Sequence, residues 1–228
     1  MKKLWHLLEL LSNGFVVLLP WRLKRCVLQS CWGYELHPTA AIGLSWVYPG
    51  KLVMAEHSSI GHGNVIIHLD RVEFGESATM ARGNWVTGYP GHGAAHFCHQ
   101  TDRCPELLVG KHSAITKNHH LDCTNAIRIG DFSTIAGYGS QFLTHSIDLV
   151  ANRQNSRPIM IGSYTFVGTQ CTVLGGAKLP DRCVLGAKSL LNRAFDEPCM
   201  LYAGVPARPV KAMPEETAYF HRTTGFVA

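Results

Sequence analysis

Aliphatic residues recur every six positions through most of the chain. Over residues 161–191 they fall at Ile161, Val167, Val173, Leu179, Leu185 and Leu191, and four places after each of the first five stands a small residue: Thr165, Cys171, Ala177, Cys183 and Ser189. Earlier stretches keep the beat in their own registers. Ile42, Tyr48, Met54, Ile60, Ile66 and Val72 form one; Phe74, Met80 and Val86 a second; Val109, Ile115, Leu121 and Ile127 a third; Ile129 and Ile135 begin a fourth. An amphipathic helix asks for apolar residues three and four apart, and a half-buried strand two apart. A period of six fits a triangular solenoid, each side a short strand plus a corner. The aliphatic residue then points inward and the small one takes a crowded interior place. A glycine follows the aliphatic residue at Gly61, Gly75, Gly110, Gly130, Gly162, Gly168 and Gly186, and is expected to ease the corner backbone. Three sides make a coil of roughly 18 residues, coils stack at about 4.8 Å, and about six or seven coils are expected.

Segments off the beat set the organisation. Residues 1–36 predict an N-terminal apolar or amphipathic helical segment, 37–195 the solenoid, and 196–228 a polar tail with Pro206, Pro209 and Pro214 that can cap the open end of the stack. Two insertions, 88–106 and 146–158, read as long loops, the kind that carry function. The apolar run Leu4 to Leu19 follows Met1-Lys2-Lys3 like a signal peptide, yet Pro20-Trp21-Arg22-Leu23-Lys24-Arg25 stands where a cleavage site would. The run is shorter than the roughly 20 residues that span a bilayer, and His6, Glu9, Ser12 and Asn13 interrupt it. It reads as a helix packed on the body, or as an interfacial helix making peripheral membrane contact through residues 1–25, with Trp5, Trp21 and the basic cluster at the headgroups.

Composition narrows the classes. The chain has 228 residues, 46% apolar and 16% charged, which excludes wholesale disorder and allows one well-cored domain. The net charge of +5 fits a phosphorylated cofactor or an acidic membrane surface, and with no Lys/Arg run or aromatic-basic module no nucleic-acid partner is expected. Cys26, Cys31, Cys98, Cys104, Cys123, Cys171, Cys183 and Cys199 read as reduced thiols of a cytoplasmic protein, because a chain this long needs no disulfide framework.

The pattern aliphatic, Gly, any, any, small, any resembles that of the hexapeptide-repeat acyltransferases, over most of residues 42–191 and most strongly over 161–190. It is most similar to the sugar and polysaccharide O-acetyltransferases among them. The resemblance implies a mainly β fold, a left-handed parallel β-helix. It also implies a homotrimer with active sites in the clefts between subunits, acetyl-CoA as donor, no metal, a sugar-type or lipid-linked acceptor in cell-surface polysaccharide or glycolipid synthesis, and direct transfer without an acyl-enzyme.

The resemblance places the general base at His145, in Leu143-Thr144-His145-Ser146-Ile147-Asp148. A sugar hydroxyl attacks a thioester only as a base takes its proton, and an imidazole titrating near neutrality suits that task. The ring needs an orienting partner, with Asp148 or a backbone carbonyl as the candidates. Asn118-His119-His120-Leu121-Asp122 lies about one and a half coils earlier, and the polar side chains Asn118, His119, His120 and Asp122 are the candidates for acceptor contact. Ala203-Gly204-Val205-Pro206-Ala207-Arg208-Pro209-Val210-Lys211 resembles the loop that closes the CoA site in the family. Arg193, Arg208 and Lys211 are the expected phosphate contacts, with Thr169 and Ala187 beside pantetheine. Phe166 stands where many members have Trp, and Asn192-Arg193 where Thr-Lys often follows the last repeat.

Three other readings compete. A zinc hydrolyase of the γ-carbonic-anhydrase kind would use His57, His62 and His68, but their spacing lacks the required partner about two coils earlier. A metal-binding or redox insert would use His92, His96, Cys98, His99 and Cys104, without a C-x-x-C pair. A non-catalytic assembly module is the third, since a β-helix alone implies no activity.

Overall fold

The computed structural model describes residues 2–91, 95–225 and 227. Two helices come first, Lys2–Leu18 and Trp21–Trp32. The expected single helical segment is divided because Pro20 lacks the N–H that would continue the first helix and suits the start of the second. The second ends at Gly33, which takes a left-handed φ of 66° and donates its N–H to Gln29 O.

The short strands that follow sort into three parallel sheets, the faces of a triangular prism. The first sheet opens with Glu35–Leu36, the second with Ala41–Ile42 and the third with Trp46–Tyr48. The first and third sheets have seven strands each, so the chain winds seven coils, at the upper end of the expectation. The second sheet has nine, because the antiparallel hairpin of Met200–Gly204 and Ala207–Ala212 is added to its edge. The inward residues are the periodic aliphatics: Ile161, Val167, Val173, Leu179, Leu185 and Leu191 are all buried. Tyr48 departs from the predicted register. Val47 points inward, and Tyr48 faces out beneath the first helix, its hydroxyl donating to Asn13 O.

The small interior positions do more than fit. Ser45 Oγ accepts the Asn64 N–H, Asn64 Oδ1 the Asn84 N–H, and Asn84 Oδ1 the His119 N–H, at 2.9 Å each. His119 Nδ1 accepts the Ser140 N–H and Ser140 Oγ the Cys171 N–H, both at 3.1 Å. The polar ladder satisfies a corner amide of each successive coil inside the prism, where water cannot.

The glycines after the aliphatic residues serve close stacking, not backbone freedom. A Cβ on Gly61 would meet Ala81 O at 2.1 Å, and Gly61 is not at positive φ. The left-handed corners are held by side-chain-bearing residues instead. Among them His112, Phe132 and Tyr164, at φ 54–55°, stack ring on ring at 4.9 and 4.8 Å across successive coils.

The described residues of the inserts form regular elements. Residues 146–158 were expected as a loop; the chain there forms an antiparallel hairpin of His145–Asp148 and Arg153–Ser156. The 88–106 insert holds a short 3-10 turn, Ala95–Phe97, and packs beside that hairpin. The tail, residues 196–228, was expected to cap the open end. Its Met200–Gly204 and Ala207–Ala212 hairpin lies on the last edge of the second sheet. The part after residue 212 instead doubles back along the second sheet, where Tyr219 Oη reaches Thr134 Oγ1 and Thr165 O.

Candidate active site

Two neighbouring coils build the site. The strand His120–Asp122 lies under Gln141–Leu143 in the third sheet, Asp122 pairing with Leu143. At His145 the chain leaves the prism for the hairpin, and its side chain turns back over the preceding coil. His145 Nδ1 hydrogen-bonds Asp122 Oδ2, and the same oxygen accepts the His145 N–H at 3.3 Å. Asp122 Oδ1 accepts from Thr124 Oγ1 at 2.6 Å and from Thr124 N at 3.1 Å. The carboxylate is buried, whereas the imidazole is 45% exposed. A ring nitrogen bonded to a carboxylate carries the proton, so neutral His145 has its lone pair on Nε2.

The pair is electrostatically matched. The hydrogen bond to Asp122 raises the His145 pKa above its ordinary value, against the opposing pull of burial. For Asp122, burial alone would raise the pKa; the hydrogen bonds from His145 and Thr124 outweigh it and hold the carboxyl below its usual value.

Asp148 is not the orienting residue. Its Oδ1 accepts the N–H groups of Val150 and Ala151 and shapes the hairpin turn. Three residues along a strand from His145, it lies on the opposite face and about 10 Å away. Asp122, placed in sequence among the acceptor contacts, is the residue that bonds the His145 ring instead.

The other acceptor candidates are separated by the fold. His119 is a buried rung of the interior ladder, its Nε2 bonded to Thr116 Oγ1 at 3.0 Å, and burial pushes its pKa down to about 4. It therefore cannot touch an acceptor outside the prism. Asn118 sits at an exposed left-handed corner, with its side chain over Gly83. His120 alone of these lines a cleft with Asp122 and His145.

His145 stands between two clefts. One runs toward the preceding coils and the 88–106 insert, past His120, Tyr89, His96, Phe97 and Gln154. The other runs toward the later coils, past Ser146, Arg157, Gly175 and Asn192. The sequence reading missed the contacts that hold these walls. Gln100 Nε2 donates to Asn155 Oδ1 and Ser156 O at 3.0 and 2.9 Å, and Ser156 Oγ donates to Gln100 Oε1 at 2.8 Å, joining insert to hairpin. Arg103, buried, donates to the carbonyls of Tyr89, Pro90 and Thr124 and lies 4.5 Å from the Phe97 ring. No periodicity marks these residues.

The cofactor candidates lie elsewhere. Thr169 and Ala187 follow second-sheet strands, at its corner with the third; Thr169 Oγ1 donates to Tyr138 O. Phe166 packs edge-on against Tyr219 in the second sheet. Arg208 and Lys211 are exposed on the added hairpin. His145 occupies the corner of the third sheet with the first, a prism face away, roughly 15–20 Å at strand rise. Only Arg193, stacked over Phe195 at 4.8 Å, follows a third-sheet strand at the His145 corner. One chain therefore does not bring His145 and the other cofactor candidates together.

Among the described residues no group of three His, Cys, Asp or Glu could hold a metal ion, and His92 lies outside the described residues. His57 pairs with Glu56, and His62 Nδ1 accepts the Leu44 N–H.

The fold is shared with solved acyltransferases. A hexapeptide-repeat-containing acetyltransferase of Vibrio cholerae aligns with a TM-score of 0.51 at 21% identity, over 62% of this chain and 74% of its own. AntD, an N-acyltransferase from Bacillus cereus solved as a variant with dTDP-4-amino-4,6-dideoxyglucose and coenzyme A, aligns with a TM-score of 0.57 at 14% identity, over 88% and 92%. No protein-family model matches the sequence, and no curated protein is similar to it. The chain has the hexapeptide-repeat left-handed β-helix fold.

Proposed function

We propose that the protein is an acyl-CoA-dependent acyltransferase that moves acetyl from acetyl-CoA to a sugar hydroxyl. The observation that carries the reading is the Asp122–His145 pair at the junction of two clefts. Nε2 of His145 takes the proton of the acceptor hydroxyl as its oxygen attacks the thioester carbonyl. The C–S bond breaks, the sulfur leaves as CoA thiolate, and the imidazolium returns the proton to it. Asp122 holds the ring in the tautomer this requires and stabilises the imidazolium. The cleft toward Arg157 and Asn192 takes the donor; the cleft toward His120 takes the acceptor.

The placement of Arg208, Lys211, Thr169 and Ala187 a prism face from His145 supports a homotrimer, in which a neighbour's cofactor-binding edge meets this chain's base. Complexes like that of AntD, with coenzyme A and a nucleotide sugar, contain the two kinds of ligand this reading requires. No described helix is long and apolar enough to cross a membrane. The first helix exposes Leu8, Leu11, Phe15 and Leu18, spaced three and four apart along one side, which supports peripheral contact with the cytoplasmic face of a membrane and a role in cell-surface polysaccharide or glycolipid synthesis. Deleting residues 1–20 abolishes vesicle binding on this reading; unchanged binding removes that support.

The donor assignment is tested by the thermal unfolding midpoint with acetyl-CoA, for wild type and Arg208→Ala. Acetyl-CoA at about 100 times its dissociation constant stabilises by roughly 2.7 kcal/mol, and the rise weakens in the variant. An unchanged wild-type midpoint would overturn the assignment.

A further inference from the structure

The cleft toward the preceding coils carries more information than its position. Its walls come from the two inserts, fixed to each other through Gln100 and Ser156. Tyr89 lines it and keeps 39% of its surface exposed although it lies beside a packed cluster. His96 packs edge-on to it at 5.8 Å, Phe97 at a 55° tilt at 5.7 Å, and Arg103 ties down its carbonyl with its guanidinium 6.0 Å from the ring centre. An aromatic ring held this rigidly and left open is a flat, low-entropy platform. Its negative face suits the weakly positive C–H face of a pyranose.

The charge of the cleft is the second observation. Among the described residues no Lys or Arg lines it, and Arg103 spends its guanidinium on three carbonyl oxygens. The buried Asp122 carboxylate forms part of its floor. A carboxylate-bearing sugar entering here would lose water and, among the described residues, find no Lys or Arg with a free donor, because Arg103 is committed to carbonyls behind the Phe97 and Tyr89 rings and the His145 ring is bonded to Asp122, a combination that is costly in a partly dry site.

The third is Gln154, on the hairpin wall. Its Oε1 is buried without a hydrogen-bond partner. A lone carboxamide oxygen is expensive to leave buried and unpaired, and rotation of the half-buried Gln154 side chain toward the cleft would let a ligand hydroxyl pair it.

We infer that the two inserts form a subsite for an uncharged pyranose ring, which stacks on Tyr89 and donates a hydroxyl hydrogen bond to Gln154, and which excludes acidic sugars. For its chemistry this rests on the acyl-transfer reading; for binding it does not. Cleft and insert thus set the acceptor class, while His145 sets the reaction.

The test uses the full-length protein in two assays. Saturation-transfer NMR without acetyl-CoA compares methyl glucoside and methyl N-acetylglucosaminide with methyl glucuronide and a methyl sialoside. Thiol release from acetyl-CoA is then followed with the same four. Neutral glycosides give transfer to ring protons and the acidic ones little. Tyr89→Ala weakens neutral-glycoside binding by about 3- to 10-fold, and Tyr89→Phe restores it. Gln154→Lys, which puts a cation in the cleft, admits the glucuronide. Acidic glycosides bound as well as neutral ones, no neutral glycoside bound at all, or Tyr89→Ala binding like wild type would each overturn the inference. Tyr89-dependent binding without thiol release leaves the subsite standing and removes the acyl-transfer reading. Thiol release independent of Tyr89 does the reverse.

Discussion

Asp122 and His145 belong to successive coils, yet the carboxylate of one holds both the ring nitrogen and the backbone N–H of the other. The double contact fixes where the imidazole sits and which nitrogen is left for chemistry. Asp122→Asn removes the main cause of the raised His145 pKa while keeping the shape. With His145 as the proposed base, which works only when neutral, the acid limb of kcat/KM in wild type is expected to have its midpoint above the ordinary 6.5 of imidazole. In the variant the midpoint moves to lower pH and turnover falls. A pH–rate profile of both proteins checks this, and an unshifted limb would show that Asp122 does not set the base.

His119 gives an acid-stability signature separate from catalysis. Held neutral inside the ladder, with its pKa pushed down to about 4, it contributes stability that is fully present above pH 6.5. That stability is lost as pH falls from 6.5 toward 4, because the unfolded chain takes up a proton there and the folded one does not. The loss is about 3 kcal/mol. Asn64 and Asn84 fill earlier rungs of the ladder, so His119→Asn keeps an acceptor for the Ser140 N–H and removes the titration. Urea unfolding at pH 7 and pH 4.5 should show the variant losing less stability on acidification. Equal losses would place the acid sensitivity elsewhere.

Gln100→Ala cuts the joint between insert and hairpin, at a local cost of about 1–3 kcal/mol for the groups left unpaired. Amide exchange speeds up in residues 95–103 and 146–156, and the acceptor KM rises. The acetyl-CoA-induced rise in midpoint stays as in wild type. Loss of that rise would mean that the joint supports the donor cleft as well.

Gly61→Ala tests the stacking role of the periodic glycines. The added methyl meets Ala81 O at 2.1 Å, and forcing the coils apart costs about 1–3 kcal/mol. Urea unfolding measures it; an unchanged midpoint would return the glycine to a merely permissive role.

The sequence period exposed the prism because an aliphatic residue points inward on nearly every side and most sides are one hexapeptide. It failed where corners vary. Val47 and Tyr48 are both apolar, so a side one residue short was invisible, and Tyr48 was read inward. The same variation hid the orienting carboxylate. Leu121 pairs with Phe142, 21 residues on, whereas Val173 pairs with Leu191, 18 on, so the residue beneath His145 follows from coil lengths that only the folded chain displays. Asp148, near in sequence, was the natural candidate and lies on the wrong face of the strand. Gln100, Tyr89 and Gln154 sit in segments with no period at all, and their roles come from two inserts meeting in space. His119 and His120, adjacent in sequence, went to opposite sides of the wall because strand side chains alternate.

If His145 is the base of acyl transfer from CoA, its removal abolishes most turnover and leaves donor binding intact. The most direct measurement is thiol release from acetyl-CoA with and without neutral methyl glycosides, for wild type and His145→Ala, alongside the acetyl-CoA-induced midpoint rise of each. Wild type is expected to show glycoside-dependent release, the variant a fall of about 10²- to 10⁴-fold, and both the same midpoint rise. Release by His145→Ala at the wild-type rate would contradict the role of His145 as base.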